Sequence, residues 1–190
     1  MFAILVIVMK AAQSPPWKVL SRFVEISSPW LTVIGERLRD DSGKELEYWR
    51  VEKAHSLVVI TVQNGKLILP NSAYRPGVGR ATVDFCGGRV DDGTQLEQTA
   101  RRIVCRELAL GDEVSMTLTP INQTPWDINS SFENQQLYGY VVELGSEVAI
   151  DAAQIGSTYE LNEAGVQALL HELVCLQCRA LLREWLATRQ

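Results

Sequence analysis

Histidine is nearly absent from the chain: His55 and His171 are the only two, too far apart to show metal-ligand spacing. Cysteine is also scarce. Of Cys86, Cys105, Cys175 and Cys178, only the last two form a C-x-x-C pair, and the second pair that a four-ligand zinc site takes is missing. Such cysteines read first as small buried hydrophobes in a reducing compartment, which sets an expectation of the cytoplasm. Positive charge is in deficit, with 18 Lys and Arg against 23 Asp and Glu and a net charge of −5. That balance argues against a wide footprint on nucleic acid or anionic lipid, so an anionic ligand is expected to be held locally. The apolar run Phe2 to Met9 is eight residues long, against about 20 for a bilayer span, and no basic residue precedes it as in a signal peptide. It reads as a first strand or as leader residues ahead of a start at Met9.

What is present is 190 residues, 46% of them hydrophobic, enough for a core without disulfide or metal staples. Ser14-Pro15-Pro16 punctuates the chain, so residues 1–16 read as an N-terminal extension and 17–190 as one domain. Val19 to Ile26, Leu31 to Leu38, Leu46 to Val51, Leu57 to Val62 and Lys66 to Leu69 read as strands, with turns at Asp40-Asp41-Ser42-Gly43 and Asn64-Gly65. Ser115 to Pro120 and Leu137 to Leu144 read as two more, flanking a polar loop from Asn122 to Gln136. Apolar periodicity from about Asn162 to Thr188 predicts one long packed helix. Strands interrupted by a loop and helix, and closed by a further helix, predict a mixed sheet between helices.

Between the halves lies a glycine-rich stretch, Tyr74 to Arg80, followed by Asp84-Phe85-Cys86-Gly87-Gly88. Thr94-Gln95-Leu96-Glu97 has capping-box spacing, and Leu96, Ala100, Ile103, Val104 and Leu108 recur at helical steps. A helix from about Gln95 to Ala109 follows, with Gly111 as its stop.

Gly88 to Leu110 resembles the Nudix box. In that register Gly88 is the first glycine, Thr94 stands where Glu is expected, Arg102 matches the arginine, Val104 and Leu110 the aliphatics, and Glu107 the last glutamate. Asp84 to Gly88 resembles the family's lead into the box, and Tyr74-Arg75 is similar to a pair found in its ADP-ribose pyrophosphatase branch. The resemblance extends over roughly residues 17 to 185. It implies an α/β fold, a Nudix-type α/β/α sandwich with a mixed β-sheet, and N-terminal strands able to support a homodimer. It also implies a nucleoside diphosphate derivative such as ADP-ribose as ligand, and magnesium as cofactor if the protein is active.

The box works through carboxylates at i, i+3 and i+4, which share one helix face and hold divalent metals. Here those positions are Ile103, Arg106 and Glu107, of which only Glu107 is a candidate metal ligand. A unit charge about 4 Å from another contributes ~4 kcal/mol at an effective dielectric near 20, so Arg106 would oppose a divalent ion strongly. Three outcomes stay open: a binder with weak or lost hydrolysis and no required metal, an active hydrolase with relocated ligands, or a non-catalytic scaffold. In the first, Arg75 and Arg106 contact phosphate oxygens, Gly87 and Gly88 let backbone approach them, and Trp30 stacks on adenine. In the second, Glu107 and Glu133 are the catalytic carboxylates, with Asp91, Asp92, Asp112, Glu113 and Asp127 also available.

Overall fold

In the computed structural model, residues 16–90 and 93–189 are described. The expectations for Phe2 to Met9, Asp91 and Asp92 fall outside them. The chain divides into two compact units at Glu52/Lys53.

The first unit is an antiparallel meander of β1 (Lys18–Ser27), β2 (Thr32–Arg39) and β3 (Glu45–Glu52), in the order β1-β2-β3. All three strands lie where the sequence placed them. The β2–β3 turn is built on Asp40, whose Oδ1 accepts from the N–H groups of Ser42 and Lys44, both at 2.9 Å. In the middle strand, Gly35 has no side chain to separate the Phe23 ring from its own backbone, since a Cβ there would meet the ring at 2.7 Å. Phe23 can therefore pack edge-on against Trp49, with ring centroids 5.5 Å apart. Glu36, on the same strand, is 2% exposed and sits between Arg22 and Arg50.

The second unit is a sandwich around one mixed sheet. β4 (His55–Gln63) lies at its centre, antiparallel to β5 (Lys66–Pro70) and β8 (Cys86–Val90) and parallel to β11 (Gln136–Leu144). β11 in turn carries β9 (Met116–Pro120) and the two-residue β10 (Trp126–Asp127), while β12 (Ile155–Glu160) pairs with β5. β6 (Ala73–Arg75) and β7 (Arg80–Thr82) form a separate hairpin. Strand alternation assigns the two faces: Val58, Ile60 and Val62 join a core with the helices α2 (Glu163–Glu172) and α3 (Leu176–Ala187), while Leu57 and Val59 join one with α1 (Leu96–Glu107). Asn64 and Gly65, at φ 50° and 73°, form the tight β4–β5 turn.

Three expectations need correction. The N-cap of α1 is Gln95, whose own side chain makes no cap hydrogen bond, so Glu97 stands at N2 and not at the N3 position that a box anchored on Thr94 gives it. Its C-terminus is closed earlier than Gly111, by a Schellman arrangement in which the Leu110 N–H reaches the Cys105 carbonyl at 2.8 Å. That motif puts Ala109 in the left-handed region, φ 49°, where a Cβ is unfavourable. Ala109→Gly is expected to stabilise the protein by about 0.5–1 kcal/mol, read as a rise in melting temperature of roughly 2–4 °C; an unchanged or lower value contradicts the assignment.

The long C-terminal helix is in fact two. α2 is capped by the Asn162 side chain, which accepts from the Gly165 N–H at 2.9 Å. It ends at Leu173, whose backbone is extended. The Arg179 guanidinium, reaching back from α3, donates to the Leu173 carbonyl at 2.8 Å and also to that of Leu170. One side chain thus satisfies carbonyls that a continuing helix would have paired. β12 was not anticipated, although Ile155, Ser157 and Tyr159 alternate inward along it. Among the described residues no helix is long and apolar enough to cross a membrane.

Candidate functional site

A cavity of about 430 Å³ opens in the second unit, lined among others by Arg75, Asp84, Gly87, Gly88, Glu107 and Cys175. β8 brings the two glycines, α1 brings Glu107, the β6–β7 hairpin brings Arg75, and the start of α3 brings the cysteine. Four residues picked out from the sequence, Arg75, Gly87, Gly88 and Glu107, therefore meet at one cavity.

The others are placed differently. Arg106 is outside the lining and half-exposed, and its Nη2 donates to the Gly87 carbonyl at 2.9 Å and to Glu107 Oε1 at 2.6 Å. Glu133 lies outside the lining too, with its carboxylate 9% exposed and paired to Lys53 Nζ at 2.9 Å. Trp30 belongs to the first unit, on the turn between β1 and β2, where its backbone N–H donates to Ser28 Oγ.

The box face is occupied by packing rather than by a carboxylate cluster. Ile103 is 3% exposed and lies against Gly88, where a Cβ would come within 2.9 Å of its Cγ1 and Cδ1. Absence of a side chain at Gly88 thus serves the close approach of α1 to β8. At Gly87 a Cβ would meet nothing closer than 3.6 Å, so packing does not demand glycine there. Glu107, the remaining carboxylate, already holds the Arg106 guanidinium. A magnesium ion takes an octahedral shell of oxygens, usually including one or two carboxylates free of competing cations. Ile103, Arg106 and Glu107 do not fit it.

In the same cavity, Asp84 is the organising group. Its Oδ2 accepts from Arg75 Nε at 2.9 Å and from Thr82 Oγ1 at 2.8 Å, while its Oδ1 is buried without a hydrogen-bond partner. Next to it lie Cys175 and Cys178, brought there by the break before α3; a continuous helix would have left both in mid-helix. Cys175 is the N-cap residue of α3. The hydrogen bond from Cys178 holds its thiol well below the ordinary range, burial opposing and the Cys178 and Gln177 amides assisting. Cys178 is raised by the same pairing and by burial. Cys86 is a separate case: burial pushes its thiol up to about 12, leaving an inert core residue. The sequence offered one signal for the cysteine pair, the C-x-x-C spacing, but nothing in it showed Asp84 nearby.

Comparison with protein families finds that the NUDIX domain model matches residues 52–173. Among solved structures, the chain is similar to a crystal structure of an ADP compounds hydrolase, with a TM-score of 0.70 and 18% identity over 94% of this chain and 98% of that one. At that identity the likeness establishes the fold, the α/β/α sandwich anticipated above. No curated protein matches the chain significantly.

Proposed function

Since the chain belongs to the NUDIX family, we propose that it binds ADP-ribose or a related nucleoside diphosphate derivative in the cavity of its second unit and hydrolyses it weakly or not at all. The observation that carries this reading is the Arg106–Glu107 ion pair at 2.6 Å beside the Ile103–Gly88 contact. Where a metal cluster would gather negative charge, this face carries one carboxylate and one guanidinium.

A pyrophosphate supplies the counter-charge that two arginines can use. Arg75 and Arg106 present planar donor forks suited to phosphate oxygens, and Arg106 can exchange its bond to Glu107 for one to the ligand. The similar ADP compounds hydrolase supports ligands of this class. The acidic net charge supports the absence of a nucleic-acid partner, and few cysteines support a cytoplasmic setting. Exposed Val19, Phe23, Ile26 and Trp49 on the first unit support a homodimer.

The test is AMP release from ADP-ribose with millimolar magnesium present. Turnover should be absent or far slower than the roughly 1–10³ s⁻¹ of ordinary enzymes. Magnesium-dependent turnover within that range would overturn the reading and point to carboxylates recruited from elsewhere.

A further inference from the structure

The C-x-x-C pair and Asp84 form a cluster that the reading above does not use. We propose that Asp84, Cys175 and Cys178 hold a thiophilic divalent cation of the zinc class, inside the cavity.

Asp84 Oδ1 or Oδ2 and the two Sγ atoms all lie within 4.8 Å of one another. Two thiolates bound tetrahedrally at about 2.3 Å from zinc are ~3.8 Å apart, so modest side-chain rotation closes the set. Cys178 is 2% exposed and fixed in the core, while Cys175 is half-buried at the head of α3 and has room to adjust.

The second observation is independent of the cysteines. Asp84 has one oxygen committed to Arg75 and Thr82, and the other buried with no partner. A buried carboxylate oxygen left unpaired is costly. Arg75 sets a positive charge beside the site, as Arg106 does at Glu107, but here two thiolates and the carboxylate bring three negative charges against it and a divalent cation, and the donors to Oδ2 leave Oδ1 for the metal. A disulfide between Cys175 and Cys178 would leave that oxygen as it is, whereas a cation satisfies all three groups. Two soft sulfur ligands select zinc over magnesium. With three protein ligands, a fourth position remains, and the cluster lines the same cavity as Arg75 and Glu107. This site stands whether or not ADP-ribose binds.

Cobalt(II) is the probe, added to untagged, fully reduced protein without oxygen. One equivalent should bind with a thiolate-to-cobalt charge-transfer band that zinc bleaches. Cys175→Ser and Cys178→Ser should each remove most of the band, and Asp84→Asn should weaken affinity at least tenfold. Cys105→Ser, outside the cavity, should leave the band unchanged. Because Cys175 is half-buried, its variant should melt like the metal-free parent, separating lost binding from lost fold. No band in the parent protein, a band that survives in Cys175→Ser, or rapid closure to a disulfide that cobalt does not prevent would each overturn the proposal.

Discussion

Replacing Ile103 and Arg106 together with glutamate should lower stability by about 3–5 kcal/mol in the absence of metal and make the protein responsive to magnesium. The loss begins with Ile103, which is 3% exposed and packed on Gly88. Removing a buried aliphatic of this size costs about 2–5 kcal/mol. The new carboxylate adds a desolvation penalty and repulsion from Glu107. Arg106 contributes less, because it is 59% exposed and a surface pair contributes only about 0–1 kcal/mol.

Magnesium should then restore part of that loss, in the double variant alone, by occupying three carboxylates at i, i+3 and i+4. A cation at 100 times its dissociation constant adds about 2.7 kcal/mol, several degrees of melting temperature. Magnesium-dependent AMP release should appear alongside. Thermal melts with EDTA and with magnesium check both halves. A double variant as stable as the parent would show that Ile103 is not the packing residue described here. A destabilised one indifferent to magnesium would show that the helix face cannot be rebuilt by charge alone.

The second large effect lies in the first unit. Glu36 accepts from Arg50 Nε at 3.0 Å, and from Arg22 through Nε at 3.1 Å and Nη2 at 3.0 Å. Those bonds, Arg50 foremost, hold its carboxyl below the ordinary value of 4.5 despite burial. With the folded-state value lowered, the stabilisation is fully present above the unfolded-state value and is lost as pH falls through the folded-state one. Breaking a buried ion pair costs about 3–5 kcal/mol, but both arginines keep partial contact with water, which reduces the figure to about 2 kcal/mol for Glu36→Gln. Urea melts at neutral pH and in acid should show the variant weaker at neutral pH and the difference shrinking below about pH 4. A difference that is constant across pH would mean that the charge is not what holds Arg22 and Arg50.

The strands were legible because each follows its own local rule. β1 to β5 alternate or run apolar between turn residues, and Asn64-Gly65 fixes the β4–β5 connection on its own. The box helix was legible from its periodicity, but its ends were not. Its start falls at Gln95, one residue past the Thr94 that the spacing marks, and its stop uses an alanine where the motif favours glycine. The break between α2 and α3 left no proline or glycine as a mark. It depends on Arg179 folding back onto carbonyls six and nine residues earlier, a tertiary effect that periodicity does not carry.

The site divides in the same way. Arg75, Gly87, Gly88 and Glu107 were identifiable from a motif and do line one cavity. Asp84 was visible only as part of the lead into the box. Its meeting with Cys175 and Cys178 joins positions about ninety residues apart, and becomes possible only once α3 begins at Leu176.

In the proposed function, phosphate is held by arginine without magnesium. The most direct test is calorimetric titration of the full chain with ADP-ribose in EDTA, beside the same titration of Arg75→Ala with Arg106→Ala. Saturable binding by the parent in EDTA and at least a tenfold loss in the double variant are expected. Binding that vanishes in EDTA and returns with magnesium, or that the double variant keeps unchanged, would contradict that arrangement.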